Sequence, residues 1–171
     1  MYKKILVGLI LISGLMFSQA TWAQEPIVLQ KSFTKVTPFF MEGHAGDSNW
    51  IGGYILSGDI MIDETKIGSV NGEVTLLNPP LDMTQPYDEA FCIFDNTIPG
   101  VGSFQVFAQV KSYSPSFMAA TGDGMVAWHG AIVNGSNQLQ SISGLSAGVA
   151  KYNVFSGQGS GSEFLQITAK P

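Results

Sequence analysis

The chain has no arginine and carries little charge of either sign. Its 171 residues include eight lysines and 13 acidic residues, and charged residues make up only 12% of the sequence. Nucleic-acid and phosphate sites depend on arginine forks or basic patches, whereas the lysines here are scattered. We therefore expect no nucleic-acid partner.

Cysteine is almost absent as well. Cys92 is the only one, so no intrachain disulfide can form. It lies in the apolar run Phe91-Cys92-Ile93-Phe94, without a positive neighbour that would activate a thiol. The sequence therefore predicts a buried cysteine that packs as a small hydrophobe.

No window after Ser32 has the apolar stripe of an amphipathic helix, while short β-prone runs recur between glycine, proline and asparagine. The runs predicted as strands are 33–41, 54–62, 67–70, 73–78, 90–95, 104–112, 125–133, 138–142, 147–155 and 163–169. Asn71-Gly72 is a strong signal for a hairpin turn, and the Gly/Ser-rich residues 156–162 predict a loop. Several runs are apolar on both faces, which favours an all-β fold: an antiparallel closed barrel of about eight strands.

The first residues have the order of a secretory signal peptide. Lys3 and Lys4 precede an apolar run from Ile5 to Phe17, and small or polar residues follow up to Ala23. This run is shorter than the about 20 residues that cross a bilayer. We expect residues 1–23 to be removed after Ala23, no membrane span afterwards, and a secreted or periplasmic location. Residues 24–171 then form a single β-barrel domain with six basic and 13 acidic residues, a formal charge of −7.

Three stretches in the second half of the chain share features of one barrel family. They are Gly102-Ser103-Phe104-Gln105-Val106, then Phe117-Met118-Ala119-Ala120-Thr121-Gly122-Asp123-Gly124-Met125 with the later Gly130, and Val149-Ala150-Lys151-Tyr152-Asn153-Val154-Phe155. This pattern resembles the allene oxide cyclase and dirigent barrel superfamily. The resemblance implies an eight-stranded antiparallel barrel with a mostly apolar lumen, trimeric in many plant members, in which unsaturated substrates are cyclised or phenols are coupled. No catalytic residue of the family aligns with a residue of this chain.

The candidate catalytic residues are Glu42, His129 and Tyr152, and the candidate ligand-binding residues are Tyr54, Asp59 and Trp128. Each could act only if it faces the lumen. Histidine titrates near neutral pH, and burial raises the pKa of a carboxyl group, so either could move protons. The alternative is that these side chains are ordinary core or surface groups.

No cofactor is expected. A metal site would require Glu42, His44 and His129 to converge, because a catalytic metal normally needs three protein ligands, and we predict none.

Three functions stay open. The first is an exported barrel that binds an apolar small molecule, and steers its cyclisation or isomerisation if it is an enzyme; this requires a lumen pocket of at least about 300 Å³. The second is a non-enzymatic secreted or surface interaction protein built on a barrel platform, with Phe39, Phe40, Trp50 and the 78–89 loop as interface. An apolar exterior patch would favour it, and an outer face that meets another subunit would make the protein a homo-oligomer. The third is a metal-dependent hydrolase.

Overall fold

A computed structural model of the chain describes residues 26–42, 50–76, 90–112, 121–153 and 155–169. These residues form eight antiparallel strands, each paired with its neighbours in the sequence, and the last strand pairs with the first to close a barrel. The strands are β1 (Ile27–Glu42), β2 (Trp50–Ile62), β3 (Thr65–Leu76), β4 (Ala90–Ile98), β5 (Gly102–Ser112), β6 (Asp123–Val133), β7 (Ile142–Asn153) and β8 (Gln158–Ala169). The predicted all-β closed barrel is confirmed. None of the described segments is a helix long and apolar enough to cross a bilayer.

Alternation along each strand separates the interior of the barrel from its outer wall. In β5, Phe104, Val106, Ala108 and Val110 are buried, whereas Phe107 points outward and is half exposed. All eight strands contribute to the same buried apolar cluster. Among the described residues, the barrel therefore has one contiguous core, which lies inside it.

Three interior aromatic rings lie over glycines of a neighbouring strand. The pairs are Phe94 with Gly72, Trp128 with Gly148, and Tyr152 with Gly124, and each pair is directly opposite in the strand register. A Cβ atom on any of these glycines would run into the ring of its partner. The missing side chains thus leave the space that the large rings fill.

The turn between β2 and β3 lies at Asp63-Glu64 and not at Asn71-Gly72. Asp63 and Glu64 both have positive φ, 47° and 63°, as a type I′ hairpin turn requires. Asn71 and Gly72 lie inside β3, where they pair with β2 and β4. The hairpin prediction was wrong, because Gly72 makes room for the Phe94 ring and does not form a turn.

Two further predicted boundaries differ from the structure. Residues 158–162, predicted as loop, pair with β1 and β7 as the first part of β8. Residues 138 and 139, the start of the predicted strand 138–142, belong instead to a single turn of 3₁₀ helix, Asn137–Leu139. Small residues in β8 bring its backbone close to Ala150 and Tyr152, so their role in this strand is packing.

Gly148→Ala is expected to destabilise the barrel, because its Cβ atom would overlap the Trp128 indole and lie 2.8 Å from the Ser162 carbonyl oxygen. Overpacking of this kind costs about 1–3 kcal/mol. Urea unfolding measures the loss. The control is Val149→Ala at an outward position, where we expect less than about 1 kcal/mol. If Gly148→Ala unfolds at the same urea concentration as the parent protein, the ring has more room than the structure allows.

Candidate functional site: a filled interior and an apolar outer wall

A buried ion pair lies at the centre of the barrel. Lys31 Nζ is 2.9 Å from Glu163 Oε2, and neither side chain is accessible to solvent. The other carboxylate oxygen, Oε1, accepts hydrogen bonds from Trp128 Nε1 (3.2 Å) and Ser146 Oγ (2.8 Å). The ammonium group also lies 4.3 Å from the centre of the Phe94 ring. Both charges are thus held by specific partners, as buried charges must be.

The two charged residues reach the interior by ordinary strand alternation. Leu29, Lys31 and Phe33 are inward positions of β1, and Glu163 and Leu165 are inward positions of β8. The β1–β8 pairing places Leu29 opposite Glu163, so Lys31 is its diagonal neighbour. Closure of the barrel by its first and last strands therefore brings the two charges together.

Burial changes the ionisation of two groups in this interior. Desolvation lowers the pKa of Lys31 from its ordinary 10.5, although the charge of Glu163 opposes the change. Desolvation also raises the pKa of the buried Cys92 thiol to about 12. The thiol is protonated at neutral pH, and it is buried as the sequence predicts.

The interior that the described residues enclose is nearly full. The interior void that Tyr54, Trp128 and Tyr152 line with other core residues has a volume of about 20 Å³. That is space for about one water molecule, whereas small-molecule pockets measure about 300 to 1,000 Å³. A lumen pocket of the size that the first hypothesis requires is not found among the described residues.

Three of the residues predicted as site residues lie together inside the barrel. Tyr152 Oη is 3.3 Å from Tyr54 Oη, to which it donates a hydrogen bond, and the two rings meet edge to face at 5.1 Å. Trp128 lies at the polar centre beside Glu163. These side chains pack against one another and against the core.

The other predicted site residues do not join them. Asp59 lies on the outside of β2, where its carboxylate pairs with Lys66 at 2.7 Å, and His129 is exposed on the outside of β6. Glu42 ends β1, but its side chain lies outside the described residues, as do those of Phe39, Phe40 and Trp50, and the 78–89 loop. The lumen position considered for Asp59 and His129 is therefore not observed, because both occupy outward positions in the alternation.

The structure offers no metal centre in the parts of the chain that it describes. No three His, Cys, Asp or Glu side chains there are grouped closely enough to hold an ion. His44, one of the residues considered for such a site, lies outside the described residues.

An exposed apolar surface lies on the outside of the barrel, and we call it the apolar outer wall. It consists of two adjacent rows that run across β4 to β8: Ile93, Phe107, Ala131, Leu145 and Gln166 in one row, and Phe91, Gln109, His129, Ala147 and Phe164 in the other. Leu145 is 62% exposed, and Phe107 and Phe164 are each 49% exposed. Neither row contains a lysine, aspartate or glutamate.

Side-chain size shapes this wall into a groove of about 650 Å³. The outside of a barrel is convex, but here the small residues Ala131 and Ala147 lie near the middle and large residues lie beside them. Phe91 and Phe107 stack at 5.9 Å on one flank, and Phe164 lies on the other. The groove is therefore open to solvent along its length.

A polar rim borders the wall at the end of the barrel where β4 joins β5. Gln105 donates a hydrogen bond to Asp95 (2.6 Å) and accepts one from Asn134 (2.6 Å), and Ser143 bonds to Thr168 across β7 and β8. On the opposite side, the next row contains Lys111, Ala127, Val149 and Ser162, and Lys151 lies one row beyond it. An apolar centre with a polar rim is the usual anatomy of a protein interface.

Sequence reasoning missed both the polar centre and the wall. Lys31 lay just before the first predicted strand, although the alternation Leu29, Lys31, Phe33 continues that strand towards the N-terminus. The alternation Glu163, Leu165 carries the same signal at the other end of the chain. The wall depends on which strands become neighbours, and pairing order is not visible in single runs.

Comparisons of this chain with protein-family models, curated proteins and solved structures find no match. The resemblance to allene oxide cyclase and dirigent barrels therefore stays a prediction.

Removing one member of the ion pair is expected to cost more than removing both. Lys31→Met leaves the Glu163 carboxylate buried without its partner. Glu163→Gln leaves the Lys31 ammonium buried without its partner, while the new amide oxygen still accepts hydrogen bonds from Trp128 and Ser146. Each single change should lower the free energy of unfolding by about 3–5 kcal/mol. The double variant has no uncompensated charge, and we expect it within about 2 kcal/mol of the parent protein. Urea unfolding of the parent protein, the two single variants and the double variant gives the coupling free energy between Lys31 and Glu163. If the double variant loses the sum of the two single losses, the residues are not coupled and the prediction is wrong.

The loss in Glu163→Gln should also shrink as the pH rises towards 10. A lowered pKa means that unfolded protein binds the Lys31 proton more tightly than folded protein, so stability increases with pH below 10.5. Without Glu163 to oppose desolvation, this increase should be steeper than in the parent protein. Unfolding curves between pH 6 and 10 measure it, and parallel curves for the two proteins would exclude the effect.

The Cys92 thiol is expected to resist alkylation in the folded protein. Its pKa is raised from 9.0 to about 12, so the folded state holds the thiol proton more tightly than the unfolded state does. Stability from this group is fully present below pH 9 and is lost as the pH rises from 9 to about 12. Iodoacetamide at pH 9 should modify urea-unfolded protein quickly and folded protein slowly. Equal rates in both states would show that the thiol is accessible.

Proposed function

We propose that the protein is a non-enzymatic interaction protein whose β-barrel presents the apolar outer wall to a protein partner. The observation that carries the proposal is the location of apolar surface: the described interior has room for about one water molecule, while large apolar side chains cluster in one outer groove. Soluble proteins rarely expose contiguous apolar surface of this kind without an interaction to serve.

The shape of the groove supports a macromolecular partner over a small molecule. Its volume of about 650 Å³ is within the range of ligand pockets. Such pockets, however, bury about 70–90% of a ligand's surface, and this groove is open along its length. A partner with a broad surface would cover Phe107, Leu145 and Phe164 more completely than a small molecule would.

Site-specific photo-crosslinking in cells that express the protein tests this function. Benzoylphenylalanine in place of Phe107 should yield a protein adduct of discrete mass, because this position lies at the flank of the groove. The same group in place of Ile55, an exposed outward residue of β2, is the matched control and should yield none. Leu145→Ser should abolish the adduct at position 107, since it removes the most exposed apolar contact of the wall.

Two outcomes would refute the proposed function. One is the absence of any discrete protein adduct from position 107. The other is an adduct that forms equally at position 55 or persists at full yield in Leu145→Ser, because its formation would then not depend on the wall.

A further inference from the structure

In β6 and β7, at the middle of the apolar outer wall, the two rows are complementary to each other in size. In β7, the large Leu145 lies in the first row and the small Ala147 in the second. In β6, the small Ala131 lies in the first row and the larger His129 in the second. We propose that the partner of the wall is a second copy of this chain, bound about a two-fold axis that runs across the strands between the two rows. This inference rests on the proposed function and names its partner.

About such an axis, each strand of one copy faces the same strand of the second copy, and the two strands run in opposite directions. The first row of one copy then faces the second row of the other. Leu145 of one copy packs over Ala147 of the second copy, and His129 packs over Ala131. Each contact occurs twice, as in every isologous interface, so one pair of rows supplies both the projecting side chains and the spaces that receive them.

Charge along one edge of the wall supports the same axis. Asp95 lies at one end of the β4–β5 edge and Lys111 at the other, with the uncharged rows between them. Reversal of the strand direction brings Asp95 of one copy towards Lys111 of the second copy. An axis parallel to the strands would instead bring Asp95 towards Thr168, which carries no charge. Elsewhere the acidic chain, with a formal charge of −5, repels its own copies.

The exposed area is adequate for a dimer. Ile93, Phe107, Leu145 and Phe164 of the wall, and Val149 of the row next to it, are each 43–62% exposed. Half of a large apolar side chain presents on the order of 100 Å², so together they offer about 500 Å². If about 60% of the interface area is apolar, these side chains correspond to a total of roughly 800 Å² buried per copy. That is the size of a standard stable interface.

An exchange of the large and small positions in β7 tests this packing. Sedimentation equilibrium of the full chain should show a dimer. Leu145→Ala leaves a hole and Ala147→Leu creates a clash, and each should raise the dimer dissociation constant about tenfold or more. The double variant exchanges the two positions and restores the fit, so its dissociation constant should return to within about threefold of the parent value. Ile55→Ala, on another part of the barrel, is the control and should change nothing.

Charge reversal tests the direction of the axis. Asp95→Lys and Lys111→Asp should each raise the dissociation constant by about threefold to tenfold at low salt, because an exposed ion pair contributes up to about 1 kcal/mol and occurs twice. The variant with both changes restores opposite charges and should recover the affinity of the parent protein. Failure to recover, with dimers that still depend on Leu145, would overturn the proposed axis.

The inference as a whole would be overturned if the parent protein stayed monomeric at high concentration. It would also be overturned if the Leu145→Ala/Ala147→Leu double variant had a dimer dissociation constant as high as that of the weaker single variant. The photo-crosslinking result separates this failure from that of the proposed function. An adduct from position 107 with twice the mass of the chain supports the second copy. A discrete adduct of another mass overturns the second copy while the interaction function stands.

Discussion

The buried ion pair between Lys31 and Glu163 constrains how the barrel closes. It joins the first and last strands inside the barrel, so the closure of the sheet and the neutralisation of two buried charges are one event. Separating the charges in this interior would leave an uncompensated ion, which is far more costly than the loss of an exposed pair. Ser146, Phe94 and Trp128 surround the pair, and the rings of Phe94 and Trp128 are two of the three that lie over glycines.

Because the described interior is filled, we look for a binding site on the outside of the barrel. A barrel of eight strands is just wide enough either to be filled by side chains or to hold one small ligand, and the described residues of this chain fill it. The outer wall then differs from an ordinary solvated face, because its two central rows carry no formal charge and its largest side chains are exposed. The consecutive antiparallel pairing of β4 to β8 sets these strands side by side and forms the groove.

The fold was more predictable from the sequence than the site was. The runs at 104–112 and 125–133 coincide closely with β5 and β6, because apolar alternation and glycine turns are local signals. Gly72 shows where local signals fail: a glycine after asparagine predicts a turn, yet here it makes room for Phe94 from the next strand. Lys31 with Glu163, and Leu145 with Phe107, depend on strand neighbours that are distant in the sequence, so no single run could reveal them.

We propose that the interior is a closed core and that binding takes place at the outer wall. Methyl and indole NMR spectra of the protein, recorded as the concentration rises and as an apolar fatty acid is added, test it directly. We expect concentration to shift the signals of Leu145 and Ala147, while the Trp128 indole proton stays fixed on Glu163 under both conditions. Fatty-acid-dependent shifts of Trp128, with the Leu145 and Ala147 signals unchanged, would contradict the account.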